Sequence, residues 1–236
     1  MTTVVHPRLA PRRGGARATT WWGKAWVRAV EEAAYGDDEL AGGRLLARGG
    51  HVGAIGVTEG RYVATVDDRG AAWTVEGSVP VLAAADLDAL VEVVAAEAGR
   101  VGALVAGELP HQLVEHAEEA GVELLPYGGE LGSACGCAHW TDPCVHALAV
   151  LQQLAWLVDR DPLVLLHLRG LPREELLSRL ERLRSAGRDQ DALEVDLDLA
   201  VDAALHAARL LAEVDGEAGP DRPAGPVSPG RRAPSG

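Results

Sequence analysis

Cys135, Cys137, Cys144 and His146 are the residues of this chain best suited to chemistry. They fall within one twelve-residue run, CGCAHWTDPCVH, and its three cysteines are the only ones among 236 residues. Thiolate sulfur and imidazole nitrogen are the donors Zn²⁺ prefers, and four of them in a tetrahedron make a closed structural site. The run therefore reads as a Cys₃His site with Zn²⁺ as its cofactor. His139, two residues past Cys137, is a competing nitrogen donor that could replace His146.

Such a site needs elements that bring its donors together. Asp142 and Pro143 have the chemistry of a helix start, Asp at the N-cap and Pro at the first helical position. Ala147, Leu148, Leu151, Leu154, Ala155 and Val158 follow on one helical face. First-turn side chains tilt back toward the helix N-terminus, so Cys144 and His146 can converge just off that end. Cys135 and Cys137 would come from the preceding turn, where Gly132 and Gly136 relax the backbone. Three thiolates and one Zn²⁺ leave a net charge of about −1, which a positive helix N-terminus favours.

Cys-x-Cys, six residues, then Cys-x-His running into a helix resembles a SWIM-type zinc finger. Trp21-Trp22-Gly23-Lys24-Ala25-Trp26 and the run from Asp161 to Gly170, DPLVLLHLRG, resemble bacterial proteins that carry this domain, so the likeness spans roughly residues 20 to 180. The family pattern assigns the fourth ligand to His146. It also implies interaction with nucleic acid or protein, and association with Swi/Snf-type helicase ATPases. The family often has Lys between the last Cys and the His; here that residue is Val145.

Charge argues against the finger as a phosphate-gripping surface. The chain carries a formal charge of −13. From Val101 to Asp159 there is no Lys or Arg, while Glu108, Glu115, Glu118, Glu119, Glu123, Glu130, Asp142 and Asp159 all lie in that interval. Phosphate binding draws most of its non-specific affinity from cations. The remaining candidate for DNA or RNA contact is the N-terminal arm with Arg8, Arg12, Arg13 and Arg17. No apolar run approaches a membrane span, and the arm lacks the apolar core of a signal peptide. Clustered thiols without that signal fit a reducing cytoplasm rather than a disulfide framework.

The expected fold class is α+β, an antiparallel β-meander with packing helices and an embedded finger leading into a helix. Residues 1–19 read as a disordered basic arm, 20–128 as an α+β region, 129–184 as the finger with its following helices, 185–214 as a helical segment and 215–236 as a disordered Pro/Gly tail. Thr20 is the N-cap candidate of a helix through about Ala34, whose three tryptophans read as core anchors. Arg44 to Ala47, Val52 to Thr58, Arg61 to Val66 and Ala72 to Glu76 read as strands with tight Gly-containing turns. Helices are expected over Ala85–Ala98, Pro110–Ala120, Pro172–Arg184 and Leu197–Val214, and a short strand over Val122–Leu125. Leu163 to Leu168 is a short apolar segment, and Trp140 reads as packing beside the site.

No catalytic residue is assigned. A Cys–His or zinc hydrolase built on Cys144 and His146 is the enzyme alternative, but a nucleophile also needs an orienting third group and an oxyanion site. There is no P-loop sequence. The resulting expectation is an interaction module that binds a protein partner, with nucleic acid reached through the arm.

Overall fold

A computed structural model describes residues 2–12 and 18–217, with side chains described outside 189–198 and 210–217. Arg13, Arg17 and the tail beyond Glu217 lie outside the described residues. The chain divides into two compact units, Met1–Leu183 and Arg184–Gly236.

The first unit is α+β. Its sheet has five antiparallel strands in the order β1-β2-β3-β4-β5: Val4–His6, Val52–Thr58, Arg61–Asp68, Ala71–Ser78 and Gly132–Cys135. Along β3 burial alternates, so Tyr62, Ala64 and Val66 face the core while Arg61, Val63 and Thr65 face out. That period-two pattern is what a sheet packed on one face requires. The helices are α1 Trp21–Ala33, α2 Asp37–Arg48, α3 Ala84–Ala95, α4 Ala98–Val105, α5 His111–Glu119, α6 Val145–Arg160, α7 Pro162–Leu168 and α8 Arg173–Glu217, with a 3₁₀ turn at Gly128–Glu130.

Helix α6 is the centre of the unit. Every residue from His146 to Val158 is buried. It packs against α1, α2 and α7 and against strands β2 to β5. The sequence marks one apolar face, but a helix covered on all sides must also bury Gln152 and Gln153. Gln153 meets that demand in part by donating to Ala47 O at 3.0 Å.

The Trp-Trp-Gly-Lys-Ala-Trp run clamps α1 to α6. Trp22 Nε1 donates to Val158 O at 2.9 Å and Trp26 Nε1 to Leu151 O at 3.4 Å, so both indoles bury their rings and satisfy their one donor. At the other end of the contact, Asp159 accepts from the Thr19 and Thr20 amides, both at 2.9 Å, and from Thr20 Oγ1 at 2.7 Å. Thr20 Oγ1 also accepts from Gly23 N as the α1 N-cap. A side chain at position 23 would begin 2.3 Å from Asp159 Oδ1, which explains the glycine between the tryptophans. On the other flank, a Cβ at Gly43 of α2 would sit 2.6 Å from Leu148 Cβ, so glycine sets how closely α2 approaches α6.

Several local expectations are corrected. Arg44 to Ala47 lies in α2, because the acidic first turn Asp37-Asp38-Glu39 nucleates a helix that carries through it. Val122–Leu125 buries Val122 and Leu124 without joining the sheet. Leu163–Leu168 forms α7, capped by the Asp161 side chain on Leu163 N. Residues 4–6, placed in the unordered arm, pair with β2. In the arm, Arg8 Nε donates to Gly50 O at 2.8 Å, and Arg12 stacks 4.7 Å above the Trp156 ring. The α8 range covers both C-terminal helices expected from sequence and the stretch between them. In the second unit, Leu199, Val201 and Leu205 are exposed.

Two outcomes test this packing. Gly43→Ala should lower stability in urea unfolding by about 1–3 kcal/mol, as overpacking of a tight contact does. Asp159 has its carboxyl pKa pulled down: burial works against ionisation, but the Thr19 and Thr20 hydrogen bonds outweigh it. The contribution is therefore complete above the ordinary carboxylate value, about 3.9, and fades as pH falls through the lower folded-state value. Asp159→Asn should be destabilised at neutral pH, with the gap to wild type closing in acid; a gap independent of pH would contradict this role.

Candidate metal centre

Three elements meet at one end of the sheet. Cys135 ends β5, held in register by its pairing with Val75 on β4. Cys137 lies in the loop that follows, and Cys144 and His146 come from the start of α6. The helix begins two residues later than Asp142-Pro143 suggests, with Cys144 itself as the N-cap in extended conformation. That backbone lets the Cys144 side chain turn back toward the loop. Asp142 is used differently: it accepts from Ser133 Oγ at 3.0 Å and ties the loop to β5. A Cβ at Gly132 would clash only with the Ser78 hydroxyl, at 2.4 Å, which rotation of that side chain can relieve, and Gly136 has open space around it.

The donor atoms of Cys135, Cys137, Cys144 and His146 all lie within 4.8 Å of one another. Cys135 Sγ and His146 Nδ1 are 3.8 Å apart. Ordinary Zn–S and Zn–N bonds in a tetrahedron put neighbouring donors roughly 3.6–3.8 Å apart. The four residues thus lie close enough to hold a metal ion, and their chemistry fits zinc. The surroundings fit as well. Thr141 Oγ1 is buried with no hydrogen-bond partner, and Thr141 lines the same 260 Å³ cleft as the three cysteines.

Ionisation of the metal-free sulfurs is divided unevenly. For Cys137 burial raises the pKa, but hydrogen bonds from the His139 amide and from the His146, His139 and Cys144 side chains bring it down to about 6. Cys135 is pushed up to about 12, by burial first and then by its neighbouring thiols. Burial also pushes Cys144 up, against the pull of the Ala147 and His146 amides.

His146 is 1% exposed and held from several sides. Nδ1 points at the sulfurs, while Nε2 lies 3.3 Å from Asp68 Oδ2 at the end of β3. Trp73 of β4 stacks on the ring, with centroids 5.8 Å apart and planes 21° apart. A carboxylate on the far nitrogen fixes which nitrogen of a metal-binding histidine is free to ligate. Sequence reasoning missed Asp68 and Trp73. Asp68 lies in a predicted turn and Trp73 in a predicted strand, and neither position points to a partner: Asp68 and His146 are 78 residues apart. His139 is not one of the four donors; its Nδ1 lies 3.3 Å from Cys137 Sγ, and its ring meets His146 edge-on at 5.4 Å. Trp140 lines the cleft beside the three cysteines but is not buried there: it is 78% exposed.

No family model and no solved structure matches the chain. Over 175 residues it is 30% identical to the uncharacterized protein Rv2102 of Mycobacterium tuberculosis, an alignment covering 73% of this chain and 63% of that one. The chain thus spans less than two thirds of that relative's length. Among the described residues no helix is long and apolar enough to cross a membrane.

Zinc-loaded protein should contain one metal per chain and three thiols that react with a thiol reagent only after chelation; three freely reactive thiols in that protein would exclude the site. His146→Ala should abolish tight binding, and His139→Ala should not. Asp68→Asn should weaken zinc affinity about 10- to 100-fold, the usual effect of removing such a partner. Chelator competition reads this directly, and unchanged affinity in Asp68→Asn would show that the carboxylate does not orient the ligand.

Proposed function

We propose that this chain is a zinc-stabilised interaction module of the SWIM-finger type, acting in the cytoplasm as an accessory to a Swi/Snf-type helicase or other DNA-associated machinery. The observation that carries the reading is the four-donor group. Four good protein donors fill a zinc tetrahedron and leave no position open to substrate, the mark of a structural rather than a catalytic metal. The residues Cys135, Cys137, Cys144 and His146 would hold the ion, which would join β5, the loop and α6.

A protein partner is favoured over nucleic acid. The finger lies in the interval without Lys or Arg. Val145, where the family often has Lys, packs toward α2, with Cγ1 3.2 Å from where a Cβ on Gly42 would be. Two of the arm's four arginines are engaged within the chain, Arg8 with Gly50 and Asp67 and Arg12 with Trp156. Direct contact with phosphate would thus fall to Arg13, Arg17 and exposed sheet arginines such as Arg61 and Arg69.

One observation favours a second reading, a thiol-dependent enzyme. Cys137 has a lowered pKa and lies 3.3 Å from His139. The pair would suit a nucleophile with its base, in place of Cys144 and His146. Zinc competes for the same sulfur, so the two readings separate on the metal-loaded protein. Cys137 alkylated by iodoacetamide in the presence of bound zinc, with loss of turnover on a substrate panel, would favour the enzyme.

The interaction reading is tested by titrating zinc-loaded protein with single- and double-stranded DNA and with RNA at low and physiological salt, alongside retention of a purified Swi/Snf-type helicase. Retention should require zinc, and nucleic-acid affinity should be weak. Strong, salt-sensitive DNA binding that needs zinc and survives removal of residues 1–19 would make the finger a phosphate-binding surface instead.

A further inference from the structure

We propose that Tyr35 and Trp140 form the docking surface of the metal-bearing loop, and that its occupant is a segment of a protein partner bearing arginine or lysine. The proposal rests on the interaction-module reading and names the partner's chemistry. Trp140 is 78% exposed and Tyr35 65%. Their rings meet edge to face, with centroids 4.9 Å apart and an interplanar angle of 76°. Tryptophan is mostly buried in folded proteins, and large aromatics are enriched at the few interface positions that carry most binding energy.

Both rings stand on anchored backbone. Trp140 lies between the ligands Cys137 and Cys144 and next to buried Thr141. Tyr35 occupies the corner between α1 and α2, one residue before the α2 N-cap Gly36. A binding surface built on anchored positions loses little conformational entropy when it is covered.

Charge selects the occupant. Asp37 and Asp38, two and three residues past Tyr35, are exposed, as is Asp142, two residues past Trp140. Arg28 and Arg44, on the helices either side of Tyr35, are paired with Glu32 and Glu31, and exposed Arg69 lies on a different cleft of the loop, with Cys137, His139 and His146. Asp37 and Asp38 also complement the N-terminus of α2, which no side chain caps. That role does not call for an exposed indole beside them. An exposed aromatic pair with exposed carboxylates two or three residues along the chain from each ring offers a guanidinium or ammonium both a ring face and a counter-charge. The same carboxylates repel a phosphate backbone within a Debye length, roughly 8 Å at physiological salt.

The test is fluorescence anisotropy with a labelled twelve-residue peptide of alternating Arg and Gly, a matching Glu/Gly peptide and a dT12 oligonucleotide. Each is titrated with zinc-loaded full chain, wild type, Tyr35→Ala, Trp140→Ala, Trp140→Phe and the double variant Asp37→Asn, Asp38→Asn. The Arg/Gly peptide should bind, and Tyr35→Ala, Trp140→Ala and the double Asn variant should each weaken it by about 2- to 5-fold, the size of an exposed cation–π contact. Trp140→Phe should retain most of the binding. Trp140→Ala leaves net charge unchanged, so its loss cannot be general attraction to an acidic protein. Equal binding by wild type and Trp140→Ala, no binding of the Arg/Gly peptide, or stronger binding of dT12 that depends on Trp140 would each overturn the proposal. Zinc content and thermal midpoint of every variant separate the two claims. A metal-loaded protein that retains the helicase but ignores Trp140 defeats only this docking surface, whereas zinc-independent retention defeats the module reading itself.

Discussion

Three sulfurs and an imidazole within 4.8 Å of one another set the constraint on which the site depends. Thiolates that close repel one another, and burial adds to the cost of ionising them: it is the first cause that pushes Cys135 up to about 12, while at Cys137 hydrogen bonds from His139, His146 and Cys144 outweigh burial and bring the thiol down to about 6. A divalent cation removes the conflict, because each thiolate gains more from the metal than it loses to its neighbours. The arrangement makes most physical sense as a binding site in which metal affinity and local order are a single quantity.

The site is not a detachable finger. His146 belongs to a helix buried from His146 to Val158 and Cys144 is its N-cap, Cys135 belongs to a strand in register with Val75, and the far side of the His146 ring meets Asp68 and Trp73 of the β3–β4 hairpin. Helix α6 is in turn held at its other end by the Trp22 bond to Val158 and the Asp159 hub on Thr19 and Thr20. Small zinc fingers lacking a core depend on metal to fold at all. Here a large apolar core already places most of the donors, so metal loss should loosen the loop between Gly136 and Pro143 before it disturbs α6.

The parts of this design that were legible in sequence are those carried by local pattern. The four candidate metal ligands lie within twelve positions, and strands β2 to β4 alternate with Gly-containing turns between them. The Thr20 cap is also local, and so is the amphipathic pattern of α3. What was hidden depends on distant partners. Strands β1 and β5 are too short to show a period, and become strands only because β2 and β4 offer unpaired edges. Arg44 to Ala47 has an ambiguous short pattern, resolved as helix by the acidic turn before it and by the Gly43 contact with α6. Asp68, Trp73 and the exposure of Trp140 are facts of tertiary placement that no local window contains.

The arm and the loop use charge differently. In the arm, arginine is spent on the fold itself: Arg8 holds Gly50 and Asp67, and Arg12 covers Trp156. The loop's own sequence interval has no Lys or Arg, and the one cation lining a cleft with Cys137, His139 and His146 among the described residues is Arg69 of the β3–β4 turn. Electrostatic steering brings partners to surfaces of opposite sign. On the proposed interaction reading, a chain charge of −13 and the exposed Trp140 ring would suit a basic protein surface better than a nucleic-acid backbone. If it works beside DNA, the simplest arrangement lets a partner hold the DNA while this chain holds the partner.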